Sequence, residues 1–374
     1  MHVLALTSTI DRSEAAILSG LQQRGAMVHI IGTPSAEQEV TFKNLGMMIH
    51  RHHFSSRFDL RGIRLIWEVC AEHRIDSVYA LTARGLSAAV LALFTKRIPI
   101  AAYRGTVGHI SWFDPTCWLT YLNPRVKRIV CVSKAVEEYL ISVGVSKKRL
   151  ITIYKGHDVA WYDYPTPSRN EFGIPAEAFV VGCTAAMRSV KGIDDLLNAI
   201  RSLLTRIPSL HLLLVGSVKD DEIERAIKDF PEPARLHLTG YRADAARLAR
   251  LADVVVMASK NREGFPRAIV EAMAQGVPAV VTSVGGMPEL VNFGEAGIMV
   301  EPMNPDSLGR GIEHIYNDTK LRIRLGQAAR DRIKGVFNIE ITINKIEAML
   351  REITSDSCRG RFAETNPSQM DCQR

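Results

Sequence analysis

Two glutamates, Glu263 and Glu271, bracket the heptapeptide Gly264-Phe265-Pro266-Arg267-Ala268-Ile269-Val270. The apolar run Val254-Val255-Val256-Met257 precedes them and reads as a buried strand. Ala272-Met273-Ala274-Gln275-Gly276 closes the segment. The order is strand, short loop, helix. Pro266 suits a first helical turn, where its missing N–H costs nothing. Gly276 stands where a helix C-terminal glycine is expected, and residues 278–281 begin the next strand at once. Unpaired N–H groups at the helix start, together with its dipole, form a site for an anion. Glu263 lies in the loop ahead of that helix, and Glu271 lies more than a turn further on. Carboxylates accept hydrogen bonds from sugar hydroxyls, while backbone N–H groups hold a phosphate. A nucleotide sugar, with sugar on both sides of a pyrophosphate, has that layout.

A second cationic loop lies upstream. Residues 179–183 read as a strand, followed by Met187-Arg188-Ser189-Val190-Lys191-Gly192 and a helix from about Asp194. Two cations at a strand end before a helix make a clamp for a departing diphosphate. In the N-terminal half, the strand at 98–103 runs into Arg104-Gly105-Thr106-Val107-Gly108-His109. Arg104 is a strong phosphate partner by type, and His109 brings an imidazole to the same loop. The aromatic stretch 112–122 has the composition of an acceptor pocket.

The two glutamates around Gly-Phe-Pro, followed by the Ala-Met-Ala-x-Gly-x-Pro run, resemble the donor-site signature of glycosyltransferase family 4. The likeness is strongest over 179–302 and continues more weakly through the first half. It implies a GT-B fold: α/β, with two Rossmann-like, doubly wound parallel-sheet domains facing a cleft. It also implies a retaining, metal-independent transferase acting on a nucleotide-diphosphate sugar, UDP favoured over GDP, with no cofactor.

By the same resemblance, Glu263 orients the sugar and Glu271 binds ribose hydroxyls. Arg188 and Lys191 neutralise the diphosphate, and Gly264, Phe265 and Pro266 frame it. Gly240 and Tyr241 line the base pocket, though Tyr241 equally suits a packing role. Ser283-Val284-Gly285-Gly286 is a family feature able to bring backbone close to a ligand. Two residues separate Arg188 from Lys191, against four in the family pattern. Relatives carry a His-Gly pair where this chain has Arg104-Gly105. Either His109 reaches the same point, or Arg104 binds the acceptor or the leaving phosphate.

The acceptor implied is a saccharide or a lipid-linked saccharide of the cell envelope. Alternatives on the same fold are a nucleotide-sugar epimerase, a sugar-phosphate synthase, or a donor-binding scaffold without catalysis.

The elements around these loops alternate. Strands are expected at 2–7, 28–31, 77–81, 98–103, 128–132 and 150–154, with helices at 13–24, 87–94 and 134–141. Such alternation implies parallel sheets covered on both faces, with ligands beyond the strands' carboxyl ends. The loop after the first strand, residues 7–12, lacks the glycines many relatives carry there, so hydroxyls and Arg12 are expected to serve instead. The expected layout is an acceptor-binding domain over 1–157 and a donor domain over 158–338. A terminal helix over 339–354 crosses back to the first domain, and a disordered polar tail covers 355–374.

The chain has 374 residues, ample for two such domains. No apolar run is long enough to span a bilayer. The start does not read as a signal peptide. The six cysteines are not closely spaced, which suits buried thiols in a reducing compartment. A cytoplasmic protein is expected, peripheral on the inner membrane face.

The net charge is +7, and residues 1–160 hold 20 Lys+Arg against 12 Asp+Glu. A basic half suggests an anionic partner or a plain solvated surface. No nucleic-acid motif is present, so none is expected to bind. Residues 43–75 interleave bases with Phe54, Phe58, Leu60, Ile63 and Trp67. That pattern fits an anionic membrane surface; Leu60, Ile63 and Trp67 at helical spacing fit a core equally. His50, His52 and His53 read as solvated or capping histidines, with no metal.

Overall fold

The computed structural model describes the backbone of residues 1–365 and side chains through Ser357. The chain forms two compact units. One comprises Met1–Lys155 with the chain from Ile339 onward, and the other is Gly156–Asn338.

The first unit carries seven parallel strands: β1 (His2–Leu6), β2 (Met27–Gly32), β3 (Met48–Arg51), β4 (Ser77–Ala80), β5 (Ile100–Arg104), β6 (Val126–Cys131) and β7 (Leu150–Thr152). Their order is β3-β2-β1-β4-β5-β6-β7. The second carries β8 (Phe179–Thr184), β9 (Leu210–Val215), β10 (Leu236–Leu238), β11 (Val254–Met257), β12 (Ala279–Thr282) and β13 (Ile298–Val300), in the order β10-β9-β8-β11-β12-β13. Each sheet reverses its winding beside its first strand, between β1 and β4 and between β8 and β11. Crevices form at such switch points, beyond the strands' carboxyl ends.

The strands read as unbroken apolar runs because helices cover both faces. In the second unit Val181, Leu212, Leu214, Val254 and Val256 pack with Leu196, Leu197 and Ile200 of the helix Ile193–Leu203.

Helix starts follow local chemistry. Asp11, Ser35, Asp59, Thr82 and Ser133 each accept a backbone N–H in the first turn of the helix they precede. Helix Ala36–Asn44 and strands β3 and β13 carry too little apolar periodicity to stand out beforehand.

The last helix, Ile339–Thr365, belongs to the first unit. Ile343 lies against Gly20 of helix Arg12–Gln23, where an added Cβ would approach its Cδ1 to 2.6 Å. Arg24 pairs with Glu340 at 2.6 Å and Glu347 at 3.4 Å, and Thr342 Oγ1 donates to the Tyr154 carbonyl at 2.9 Å. The helix continues through 355–365, where a polar tail is expected; residues 366–374 lie outside those described. Buried positions at Ile346, Met349, Leu350 and Ile353 hold it on the unit to about its midpoint, and Ser357 Oγ donates to the Arg97 carbonyl at 2.9 Å beyond it.

Cys70, Cys131 and Cys183 are buried thiols, pushed up to about 12 by that burial.

Candidate functional site

Because β11 lies directly beside β8, the loops after these strands meet although they are far apart in sequence. Lys191, in the loop after β8, forms an ion pair with Glu263, in the loop after β11. Glu263 is buried at 7% exposure, and Ser259 Oγ donates to the same carboxylate oxygen at 3.0 Å. Ser259 is itself buried, and its carbonyl accepts from Thr282 Oγ1 at 2.7 Å. Lys260 pairs with Asp194 at 2.5 Å and reaches Asp195 at 3.8 Å. Its N–H donates to the Val190 carbonyl, stitching the two loops together. Asp195 is raised above the usual carboxylate range by burial and by Asp194, with Lys260 opposing.

Two glycines permit this approach. Gly192 has φ +66°, and an added Cβ would lie 1.9 Å from the Ala258 carbonyl oxygen. Gly285 has φ +56°, and its added Cβ would lie 1.7 Å from the Glu263 carbonyl oxygen. The Gly286 N–H donates to that same carbonyl at 3.2 Å. The double glycine therefore holds the backbone of Glu263 in place, a role its sequence alone did not disclose.

Helix Arg267–Ala274 follows. Pro266 is its N-cap, one position earlier than a first-turn proline, and supplies no side-chain cap to the N–H groups of the first turn. Gly276 ends it at φ +76°, with the Val277 N–H reaching back to the Ala272 carbonyl. Glu271 is largely covered, 3.3 Å from Arg267 one turn back. Gly264 and Pro266 are buried, and Phe265 sets its ring edge-on against Phe337, 5.1 Å between centroids.

Arg188 is exposed and adopts extended backbone ahead of the short turn Ser189–Lys191. Gly240 has φ +68° and its carbonyl accepts from the Gly216 N–H at 2.9 Å. Tyr241 is 79% exposed, so it is not a packing tyrosine. Lys191, Glu263, Gly264 and the uncapped helix start thus share one rim of the second sheet. Ser259, Lys260 and Asp194 support it. Of these, Ser259 and Lys260 carried no motif that would single them out beforehand.

In the first unit, Arg104 ends β5 and folds onto its own loop. Its guanidinium donates to the carbonyls of Thr106 (2.9 Å) and Gly108, and lies 4.9 Å from the Tyr121 ring centroid. His109 is exposed at φ +62°, and its carbonyl faces the Cys117 thiol at 3.8 Å. Lys155 ion-pairs with Asp11 and, at 3.0 Å, with Glu14, at the start of helix Arg12–Gln23. The glycine-free loop after β1 is braced by that lysine.

Leu60 and Trp67 are 78% and 50% exposed, so the core reading of that stretch fails: helix Leu60–Glu72 buries Ile66, Val69 and Cys70 instead. His52 pairs with Asp59 at 3.1 Å, as a capping histidine does, but His50 turns onto the face of the sheet.

Two family models cover most of the chain. Glycosyltransferase Family 4 matches residues 12–161, and Glycosyl transferases group 1 matches residues 166–332. The chain belongs to glycosyltransferase family 4.

A D-inositol 3-phosphate glycosyltransferase of Corynebacterium efficiens is 29% identical over 226 residues, 57% of this chain and 53% of that protein. The chain thus spans about half the length of the first curated relatives it matches. The capsular polysaccharide biosynthesis glycosyltransferase CapM of Staphylococcus aureus is 25% identical over 381 residues, covering 95% of this chain and 97% of CapM. Among solved structures, a glycosyltransferase from Rickettsia africae superposes with a TM-score of 0.81 at 19% identity, covering 94% and 98% of the two chains. Anabaena HepE, solved with UDP and glucose, gives 0.78 at 23% identity over 94% and 100%. These likenesses establish the GT-B fold.

Proposed function

We propose that this family 4 protein is a retaining glycosyltransferase. It moves a sugar from a nucleotide-diphosphate sugar, UDP before GDP, to a saccharide or lipid-linked acceptor in cell-envelope glycan synthesis. The observation that carries the reading is the Lys191–Glu263 pair beside an uncapped helix start at the switch point of the second sheet. The names of CapM and of a lipopolysaccharide core glycosyltransferase from Rhizobium meliloti, 29% identical over 215 residues, support the envelope assignment. HepE's bound UDP supports the choice of nucleotide.

In this reading, the diphosphate displaces Glu263 from Lys191 and takes the ammonium, Arg188 and the helix N–H groups as its own partners. Freed, Glu263 accepts hydroxyls of the transferring sugar, still aimed by Ser259 and its clamped carbonyl. Glu271 accepts ribose hydroxyls, and Tyr241 stacks on the base. The acceptor hydroxyl attacks the anomeric carbon on the face the diphosphate leaves. As the sugar–phosphate bond breaks, the acceptor's proton passes to the departing phosphate oxygen. Cationic side chains stabilise the developing charge, so no metal is needed. Arg104 shapes the acceptor loop, and His109, at its exposed tip, meets the acceptor.

The exposed Phe58, Leu60 and Trp67, with the exposed Arg61 and Arg64, form an interfacial patch for anionic lipid. Among the described residues no helix is long and apolar enough to cross a membrane, so attachment in this reading is peripheral.

A thermal-shift screen of nucleotide diphosphates and nucleotide sugars tests the reading. The best ligand should be a uridine compound, its shift should vanish in Glu271→Ala, and transfer should persist in EDTA. Turnover of the donor without any acceptor would instead indicate an epimerase. Binding with no transfer to any acceptor would indicate a scaffold.

A further inference from the structure

The N-terminal sheet carries a cluster of imidazoles that the transfer chemistry leaves unused. His29 lies in β2, paired with Leu4 of β1 and Met48 of β3; His50 lies two residues beyond Met48. Alternation along parallel strands puts His2, His29 and His50 on one face. His73, the C-cap of helix Leu60–Glu72, closes over that face. The His29 ring centroid lies 4.7 Å from that of His73, 6.4 Å from that of His50 and 5.9 Å from that of His2. One ring nitrogen from each of His29, His50 and His73 lies within 4.8 Å of the other two.

His29 is 1% exposed, yet neither of its ring nitrogens has a hydrogen-bond partner among the described residues. His50 Nε2 and His2 Nδ1 are likewise buried without partners. Unsatisfied buried polar atoms are costly, so several together in one place point to an unaccounted partner. A hydrogen-bonded ladder of imidazoles would satisfy these atoms in pairs, and the geometry shows stacked and tilted rings instead.

We infer that His29, His50 and His73 form a binding site for a divalent transition-metal ion, zinc by preference, which clips the β1–β2–β3 edge of the sheet to the end of helix Leu60–Glu72. Neutral imidazoles suit zinc, nickel and copper. Tetrahedral zinc with Zn–N near 2.0–2.1 Å sets its ligand atoms about 3.3 Å apart, so the three rings must draw together slightly. His50 and His73 are half-buried, whereas His29 is buried in the sheet. The fourth position falls to water or to His2. Two carboxylates stand by the cluster: Asp76 accepts the His2 backbone N–H at 2.7 Å, and Glu72 lies 3.8 Å from His73 Nε2. Their negative charge offsets part of the ion's. The ion is a brace for the sheet edge and has no part in sugar transfer.

The test is titration of tag-free protein with Zn²⁺ by calorimetry and with Co²⁺ by visible absorption. One ion per chain is expected, with micromolar or tighter affinity, a four- or five-coordinate cobalt spectrum and a raised Tm. His50→Gln and His73→Gln, each confirmed folded by thermal unfolding, should weaken binding at least about tenfold. Absence of stoichiometric binding, an octahedral cobalt spectrum, or unchanged affinity in both variants would overturn the assignment.

Discussion

Lys191 and Glu263 form an ion pair across the seam between β8 and β11, and the glutamate is the more deeply buried partner. The lysine is about one-third exposed, so it is the member that an incoming anion can reach. In the proposed reading, this buried carboxylate, held by one reachable cation and one serine, exchanges that cation for sugar hydroxyls.

Separating the two partners should separate binding from chemistry. Glu263→Gln keeps the size and the Ser259 contact while releasing Lys191. Calorimetry should find nucleoside diphosphate bound as tightly as before, or more tightly. The transfer rate should fall by about 100-fold, as when a group acting in the transition state is removed. Lys191→Ala should weaken the diphosphate at least about tenfold. It should also cost about 1–3 kcal/mol of stability by stranding Glu263, less than a fully buried pair would lose because Lys191 is partly solvated.

Gly285 fixes where Glu263 sits. Gly285→Ala combines a left-handed backbone with a Cβ driven into the Glu263 carbonyl. A loss of about 2–4 kcal/mol is expected in urea unfolding, with transfer falling more than nucleotide affinity. Gly240→Ala, where nothing lies within 4 Å of the added Cβ, should cost only its strained φ, about 1 kcal/mol. Equal losses at the two positions would deny Gly285 its special role.

Acid should weaken the N-terminal unit through Asp59. Burial alone would raise this carboxyl, but the N–H groups of Gly62 and Ser55 and the His52 ring outweigh it and hold it at about 2. The folded value lies below the ordinary 3.8, so the contribution is fully present above pH 3.8 and is lost as pH falls toward 2. Asp59→Ala should cost about 1–2 kcal/mol at pH 7 and progressively less below pH 3.8. Urea unfolding at a series of pH values checks both the size and the sign.

The proposed membrane contact uses side chains exposed on helix Leu60–Glu72 and just before it. Replacing Phe58, Leu60 and Trp67 with serine should reduce sedimentation with anionic vesicles about tenfold and leave transfer to a soluble acceptor unchanged. Unaltered vesicle binding would place the contact elsewhere.

Much of this architecture was legible in the sequence for a physical reason. Strands buried on both faces, such as Val254–Met257, must be continuous apolar runs, and Gly276 must end a helix that a strand follows at once. The family motif was legible because its glutamates, proline and glycines sit at fixed offsets within one segment. What stayed hidden depends on residues brought together by topology. Ser259 and Lys260 matter only because β11 neighbours β8. Arg104 spends its donors on carbonyls of its own loop, which residue type does not reveal. His29, His50 and His73 meet because β2 and β3 pair in one register and the helix returns over them; His50 beside His52 in sequence suggested nothing of the kind. Leu60 and Trp67 had the spacing of a core stripe, yet the helix turns Ile66, Val69 and Cys70 inward, and spacing alone does not choose between two apolar faces.

The most direct test of the account is calorimetric titration of UDP and UDP-glucose into the full chain and into Glu271→Ala and Lys191→Ala. Binding to the unaltered protein should be saturable and weakened at least about tenfold by either substitution. Affinity unchanged in both variants would contradict a donor site built on the second sheet's switch point.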